Sequence, residues 1–122
     1  MPEWPENDDA VLLIHNPRCS KSRATHELLE KQGIDFRVRL YLDEPLGRAE
    51  LLELKRWLDR PVAEWVRQGE GCYQEAGLSP ESGDEELIEA MVRHPKLLER
   101  PIVVRRGRAE IGRPPERVLG LF

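Results

Sequence analysis

"AVLLIHNPRCSKSRATHELLEKQGIDFRVRLYL", residues 10–42, decides the fold. It opens on a continuous apolar run bounded by polar residues, the pattern of a strand buried on both faces. After Pro17, the residues Ala24, Leu28, Leu29 and Gln32 fall on roughly one face of a helix, and Gly33 is placed to terminate it. "FRVRLYL" (36–42) then sets Phe36, Val38, Leu40 and Leu42 against Arg37, Arg39 and Tyr41, a period of two that predicts a strand with one buried face. Strand, helix and strand at this spacing imply a right-handed parallel unit.

Beyond it the periodicity becomes helical. "GRAELLELKRWLD" (47–59) spaces Leu51, Leu54 and Leu58 at helical intervals, and "SGDEELIEAMVRHP" (82–95) puts Leu87, Ile88, Met91 and Val92 behind a Ser82-x-x-Glu85 capping box. "PIVVRRGRAEIG" (101–112) reads as a hairpin turning near Arg106-Gly107, and "RPPERVLGLF" (113–122) begins a last helix at a proline. The order β-α-β, helical insertion, β-β-α fits an α/β protein with a thioredoxin-like mixed sheet, without internal repeats. Residues 1–9, acidic and rich in proline, form a flexible tail in this reading, and residues 10–122 one domain.

With 122 residues, 39% hydrophobic and 34% charged, the composition is that of an ordinary globular protein. A formal charge of −4 argues against nucleic acid as a partner, yet 19 Lys and Arg leave room for a local anion site. The start resembles no signal or transit peptide and no stretch is long enough to span a bilayer, so a cytoplasmic protein without membrane association is expected. Cys19 and Cys72 lack zinc-ligand spacing, so no metal is expected, and both thiols are expected to be reduced.

Cys19 falls in the loop between the first strand and its helix, where ligands bind in open α/β sheets. Free N–H groups and the helix dipole stabilise a thiolate there, with Arg18, Lys21 and Arg23 adding charge of the same sign. The same groups would hold an oxyanion against the sulfur. The other reading is a small buried cysteine beside a solvated basic helix face. His15 either tunes the thiol or bonds locally. Ser22 stands where a C-x-x-C protein has its second thiol, so a Cys19 adduct has to be reduced by an outside thiol. Cys72, in the glycine-rich "RQGEGCYQEAG" (67–77), is a resolving thiol or, the reading with the edge, a structural residue in a mobile loop.

"HNPRCSKSR" (15–23) resembles the nucleophile loop of the glutaredoxin-linked arsenate reductases of the ArsC family, with Cys19 on the catalytic cysteine, His15 on the histidine close to it, and Asn16, Ser22 and Arg23 completing the loop. "WVRQGEGCYQEAGL" (65–78), "ERPIVV" (99–104) and "IGRPPERV" (111–118) are similar to three further family segments, in the family's order, and put Arg67, Arg100 and Arg113 on its oxyanion-binding arginines. The resemblance implies a thioredoxin-like fold with a helical insertion and a cis Arg100-Pro101 bond. It implies reduction of arsenate, or a related oxyanion, to arsenite through a thiol–arsenic adduct on Cys19. Glutathione enters as co-substrate, glutaredoxin as partner, and no cofactor is bound. Ser20-Lys21 stands where the best-known members carry Gly-Thr, and their extended C-terminal tail is missing. The alternatives are a thiol–disulfide or deglutathionylating oxidoreductase, which a C-x-x-S site suits, and a redox regulator of the Spx type, whose usual C-x-x-C the serine breaks.

Overall fold

The computed structural model describes residues 3–122, so Met1 and Pro2 of the expected tail lie outside the described residues. The chain divides into two compact units, one built from the residues up to Glu44 together with Arg100–Phe122, the other from Pro45–Glu99.

The first unit holds the sheet. Strand β1 (Val11–His15) is buried at all five positions. Helix α1 (Ser20–Lys31) follows and ends where Gly33 takes a φ of +70°, a conformation that costs glycine nothing. Strand β2 (Arg37–Leu40) runs parallel to β1. Strands β3 (Ile102–Arg105) and β4 (Arg108–Ile111) form the expected hairpin, with positive φ at both Arg106 and Gly107 as a tight primed turn requires. β3 lies antiparallel to β1, so the strand order is β2-β1-β3-β4. Val11, Leu13, Leu29, Val103, Val118 and Leu121 form a core on one face of this sheet, joined by Leu28, Ile34 and Phe36.

Several local expectations are corrected. The buried face of α1 is Ser22, Thr25 and Leu29, not the Ala24 and Gln32 side, because the Ser22 and Thr25 hydroxyls find internal partners and so tolerate burial. In "FRVRLYL" the inner and outer sides exchange toward the end: Arg39 and Tyr41 are buried, Leu40 and Leu42 exposed. Arg39 can be buried because its Nε donates to the Glu44 carbonyl and its Nη1 to that of Glu3, while Trp4 lies across its guanidinium. Glu3 also meets Arg37, so residues 3 and 4 of the stretch read as a tail contact β2. The C-terminal segment Pro115–Leu121 is a 3-10 helix, not an α-helix, and packs on β4 and α1.

The second unit is the helical insertion. Helix α2 (Arg48–Leu58) buries Leu51, Leu54 and Leu58; helix α4 (Asp84–Arg93) buries Leu87, Ile88, Ala90 and Met91 and packs against α2. Arg48 pairs with Glu85 and Glu89, and Lys55 with Asp84, along the outside of this contact. The expected capping box at Ser82 does not form. Gly83 is the N-cap, and the Ser82 hydroxyl instead accepts the Ser79 N–H and donates to Glu86. Cys72, expected in a loop, lies in the short helix α3 (Gly71–Glu75).

One glycine in the first unit is required by space. A Cβ on Gly112 would lie 2.6 Å from the Thr25 hydroxyl and 2.8 Å from the Pro101 ring, both well-packed positions. Gly112→Ala is expected to destabilise the protein by about 1–3 kcal/mol. That corresponds to a loss of roughly 4 °C in thermal midpoint per kcal/mol, measured by circular dichroism. An unchanged midpoint would show that the α1–Pro101 contact gives way freely.

Candidate functional site

The site begins where β1 ends. His15 and Asn16 are buried and Ser22 is fully so. The Asn16 side chain accepts the Arg18 N–H at 3.0 Å, turning the chain sharply, and the Asn16 carbonyl accepts the Cys19 N–H at 3.0 Å. Arg23 reaches back from the first turn of α1 to donate to the Pro17 carbonyl at 3.0 Å. The loop is thus closed by its own residues, and Cys19, half-buried, becomes the N-cap of α1.

No full capping bond closes on the thiol, but the N–H groups of Ser22 and Lys21 are aimed at the sulfur. The Arg100 guanidinium hydrogen-bonds to it, and Arg113 Nη2 lies 3.5 Å from it. Arg113 is braced by its Nε, which donates to the Arg100 carbonyl at 2.8 Å. Burial raises the Cys19 pKa, and it is outweighed by the Ser22 N–H, the Arg100 guanidinium and the Lys21 N–H, leaving the thiol below its ordinary value. Both Arg100-Pro101 and Arg113-Pro114 are cis, the first as expected.

Ser22 is the node beneath the sulfur. Its hydroxyl accepts the Asn16 N–H at 3.0 Å and meets His15 Nδ1 at 2.7 Å. His15 is held below the ordinary imidazole value, first by burial and then by the charge of His26.

The fold therefore brings Cys19, His15, Asn16, Ser22, Arg23, Arg100 and Arg113 into one cluster of the first unit. Arg67 belongs to the second unit, where its Nη1 donates to Glu99 at 2.9 Å and its Nε meets Glu70 at 3.3 Å. Lys21 contributes through its backbone N–H, and the Arg18 and Lys21 side chains are exposed. Gly112 and His26 escaped the sequence reading. The only mark of Gly112 is its place directly before Arg113, and a histidine within a helix carries no signal of what it touches. Among the described residues no group of His, Cys, Asp and Glu is arranged to hold a metal, and no helix is long and apolar enough to cross a membrane.

The fold is a thioredoxin-like sheet with a cysteine at the start of its first helix, met by N–H groups and guanidinium groups. The family model described as the ArsC family matches residues 14–121, and the chain belongs to that family. It is 52% identical over 111 residues to "Uncharacterized protein YfgD" of Escherichia coli K12, covering 89% of this chain and 93% of that one. It is 43% identical over 110 residues to an arsenate reductase of Neisseria meningitidis, covering 88% and 94%. The solved structure of an arsenate reductase from Vibrio cholerae superimposes with a TM-score of 0.88 at 45% identity, covering 95% of this chain and all of the other.

Cys19 alkylation by iodoacetamide is expected to reach half its maximal rate at a pH below that of a free cysteine. Arg100→Leu, which removes a partner of the anion only, moves that point upward and slows alkylation near neutral pH by about 3–10-fold. An unshifted profile in Arg100→Leu would remove Arg100 from the stabilisation of the thiolate.

Proposed function

We propose that the protein is an arsenate reductase that draws its electrons from glutathione and is returned to the thiol state by glutaredoxin. The observation that carries this reading is the Cys19 sulfur held between two helical N–H groups and the paired guanidinium groups of Arg100 and Arg113, in a chain of the ArsC family.

In this mechanism the Cys19 thiolate attacks arsenic, forming a sulfur–arsenic bond, and an arsenate hydroxyl takes a proton from solution and leaves as water. Arg100 and Arg113 neutralise the oxyanion with charge-assisted hydrogen bonds that persist while its charge redistributes. The family resemblance assigns Arg67 to the same task. A glutathione thiolate then attacks the Cys19 sulfur, and the electron pair of the breaking sulfur–arsenic bond passes to arsenic, reducing As(V) to As(III). Arsenite leaves, and Cys19 remains as a mixed disulfide with glutathione. With serine at position 22 there is no second thiol in the motif to displace it, so an external dithiol or glutathione-dependent glutaredoxin must do so. His15, Asn16, Ser22 and Arg23 act on the loop, fixing the path that presents the sulfur.

The test is NADPH oxidation by the purified protein with glutathione, glutathione reductase and a glutaredoxin, with and without arsenate. Arsenate-dependent turnover is expected, absent in Cys19→Ser and lowered about 100-fold in kcat/KM by Arg113→Ala. Turnover that ignores arsenate but consumes a glutathionylated substrate would reassign the site to deglutathionylation.

A further inference from the structure

Next to the nucleophile loop lies a pair of histidines of which the mechanism above uses one. The His15 and His26 rings stand with centroids 5.3 Å apart, tilted by 39°. They differ in surroundings. His15 is buried and its Nδ1 is taken by the Ser22 hydroxyl; His26 is about one-third exposed, its Nδ1 lies 3.1 Å from the Glu30 carboxylate, and its ring stands nearly perpendicular to that of Phe36. Two imidazoles in contact do not both carry a proton cheaply.

The condition of His15 reaches the sulfur through one residue. Among the described residues the Ser22 hydroxyl makes two bonds, to the Asn16 N–H and to His15 Nδ1, while the Ser22 backbone N–H faces Cys19. With His15 neutral, the hydroxyl proton can lie in the bond to Nδ1 and the Asn16 N–H is accepted by the same oxygen. Once His15 is doubly protonated its Nδ1–H has to donate, the oxygen accepts twice, and the hydroxyl proton needs a new acceptor in a fully buried residue. The arrangement beneath the thiolate then has to shift.

We propose that His26, held by Glu30 and set against His15, is a positioning residue of the nucleophile loop: its presence beside the buried ring disfavours a second proton on His15, and so preserves the Ser22 bonds under Cys19 as the solution becomes acidic. The lowering of the His15 pKa by burial and then by His26 agrees with this division of labour. The other charged groups about the two rings are Arg18 and Asp43 near His15, Arg23 and Glu27 beside both rings, and Asp35 near His26, all exposed. The role of the loop in turnover rests on the reductase reading; the state of the loop itself does not.

The test therefore combines ring titration of the histidines by long-range 1H–15N NMR with the rate of Cys19 alkylation. Wild type, His26→Gln, His26→Lys and Glu30→Gln are compared between about pH 8 and about pH 5.5, on either side of the ordinary imidazole range. His26→Gln is expected to move the His15 titration to higher pH, and its alkylation profile is expected to change in step. The difference from wild type should grow to about threefold or more at the acidic end. Glu30→Gln, an exposed change, shifts His15 in the same direction by less. His26→Lys, which restores a positive charge without a ring, brings His15 back toward the wild-type value. An unmoved His15 titration in His26→Gln, or no rescue by His26→Lys, overturns the proposal. So does a moved titration with an unchanged alkylation profile, because the link through Ser22 would then be absent. Neither readout uses arsenate, so failure of arsenate turnover would strike the reductase reading alone; where turnover is seen, its acidic limb should move with His15.

Discussion

The first unit brings hydrogen-bond donors and positive charge from several segments to one sulfur at the end of β1. A thiolate in a partly desolvated place is stable only where opposite charge and hydrogen-bond donors meet it from several directions. Two directions are local, the Ser22 and Lys21 N–H groups at the start of α1. The others come from the far end of the chain, with Arg100 entering just before β3 and Arg113 just after β4. The sheet order makes this possible. β3 pairs directly with β1, so both arginines are delivered beside the loop that leaves β1, and the 2.8 Å bond from Arg113 to the Arg100 carbonyl ties the two deliveries together.

The close approach at Gly112 belongs to the same constraint. Arg113 reaches the sulfur because the preceding residue passes against Thr25 and Pro101 without a side chain of its own, and its N–H is taken by the Pro101 carbonyl. Thr25 in turn spends its hydroxyl on the Lys21 carbonyl within α1. Packing and chemistry are therefore the same contacts here: a loss of fit between α1 and the Pro101 segment displaces an arginine as well as a core.

Much of this was legible in the chain. The apolar run before His15, the glycine ending α1 and the Arg106-Gly107 turn are local signals whose physics needs no tertiary context, and of the arginine segments set beside the cysteine loop, those of Arg100 and Arg113 lie next to Cys19. The errors share a cause. In α1 and β2 hydrophobicity alone does not choose the inward face: Thr25 is buried with its hydroxyl on the Lys21 carbonyl one turn back, Ser22 with the Asn16 N–H and His15, and Arg39 with the carbonyls of Glu3 and Glu44 and the Trp4 ring. Periodicity does not find the Glu3 and Trp4 partners of Arg39, which only folding brings to β2. The N-cap of α4 failed likewise: Ser82 had a closer use in the preceding turn.

Arg39 carries a further consequence. β2 is an outer strand, with β1 on one side only, and outer strands invite pairing with the edges of other sheets. A buried guanidinium in the middle of that strand, gripping the carbonyls of Glu3 and Glu44 and flanked by the exposed Arg37, makes the edge costly to strip and costly to stack against a second copy. The opposite edge, β4, starts with the exposed Arg108 and holds Glu110 against Arg117. A sheet of short strands with charge on both borders resists growing into fibrils, and the irregular burial that defeated the simple alternation of β2 is what keeps that border closed.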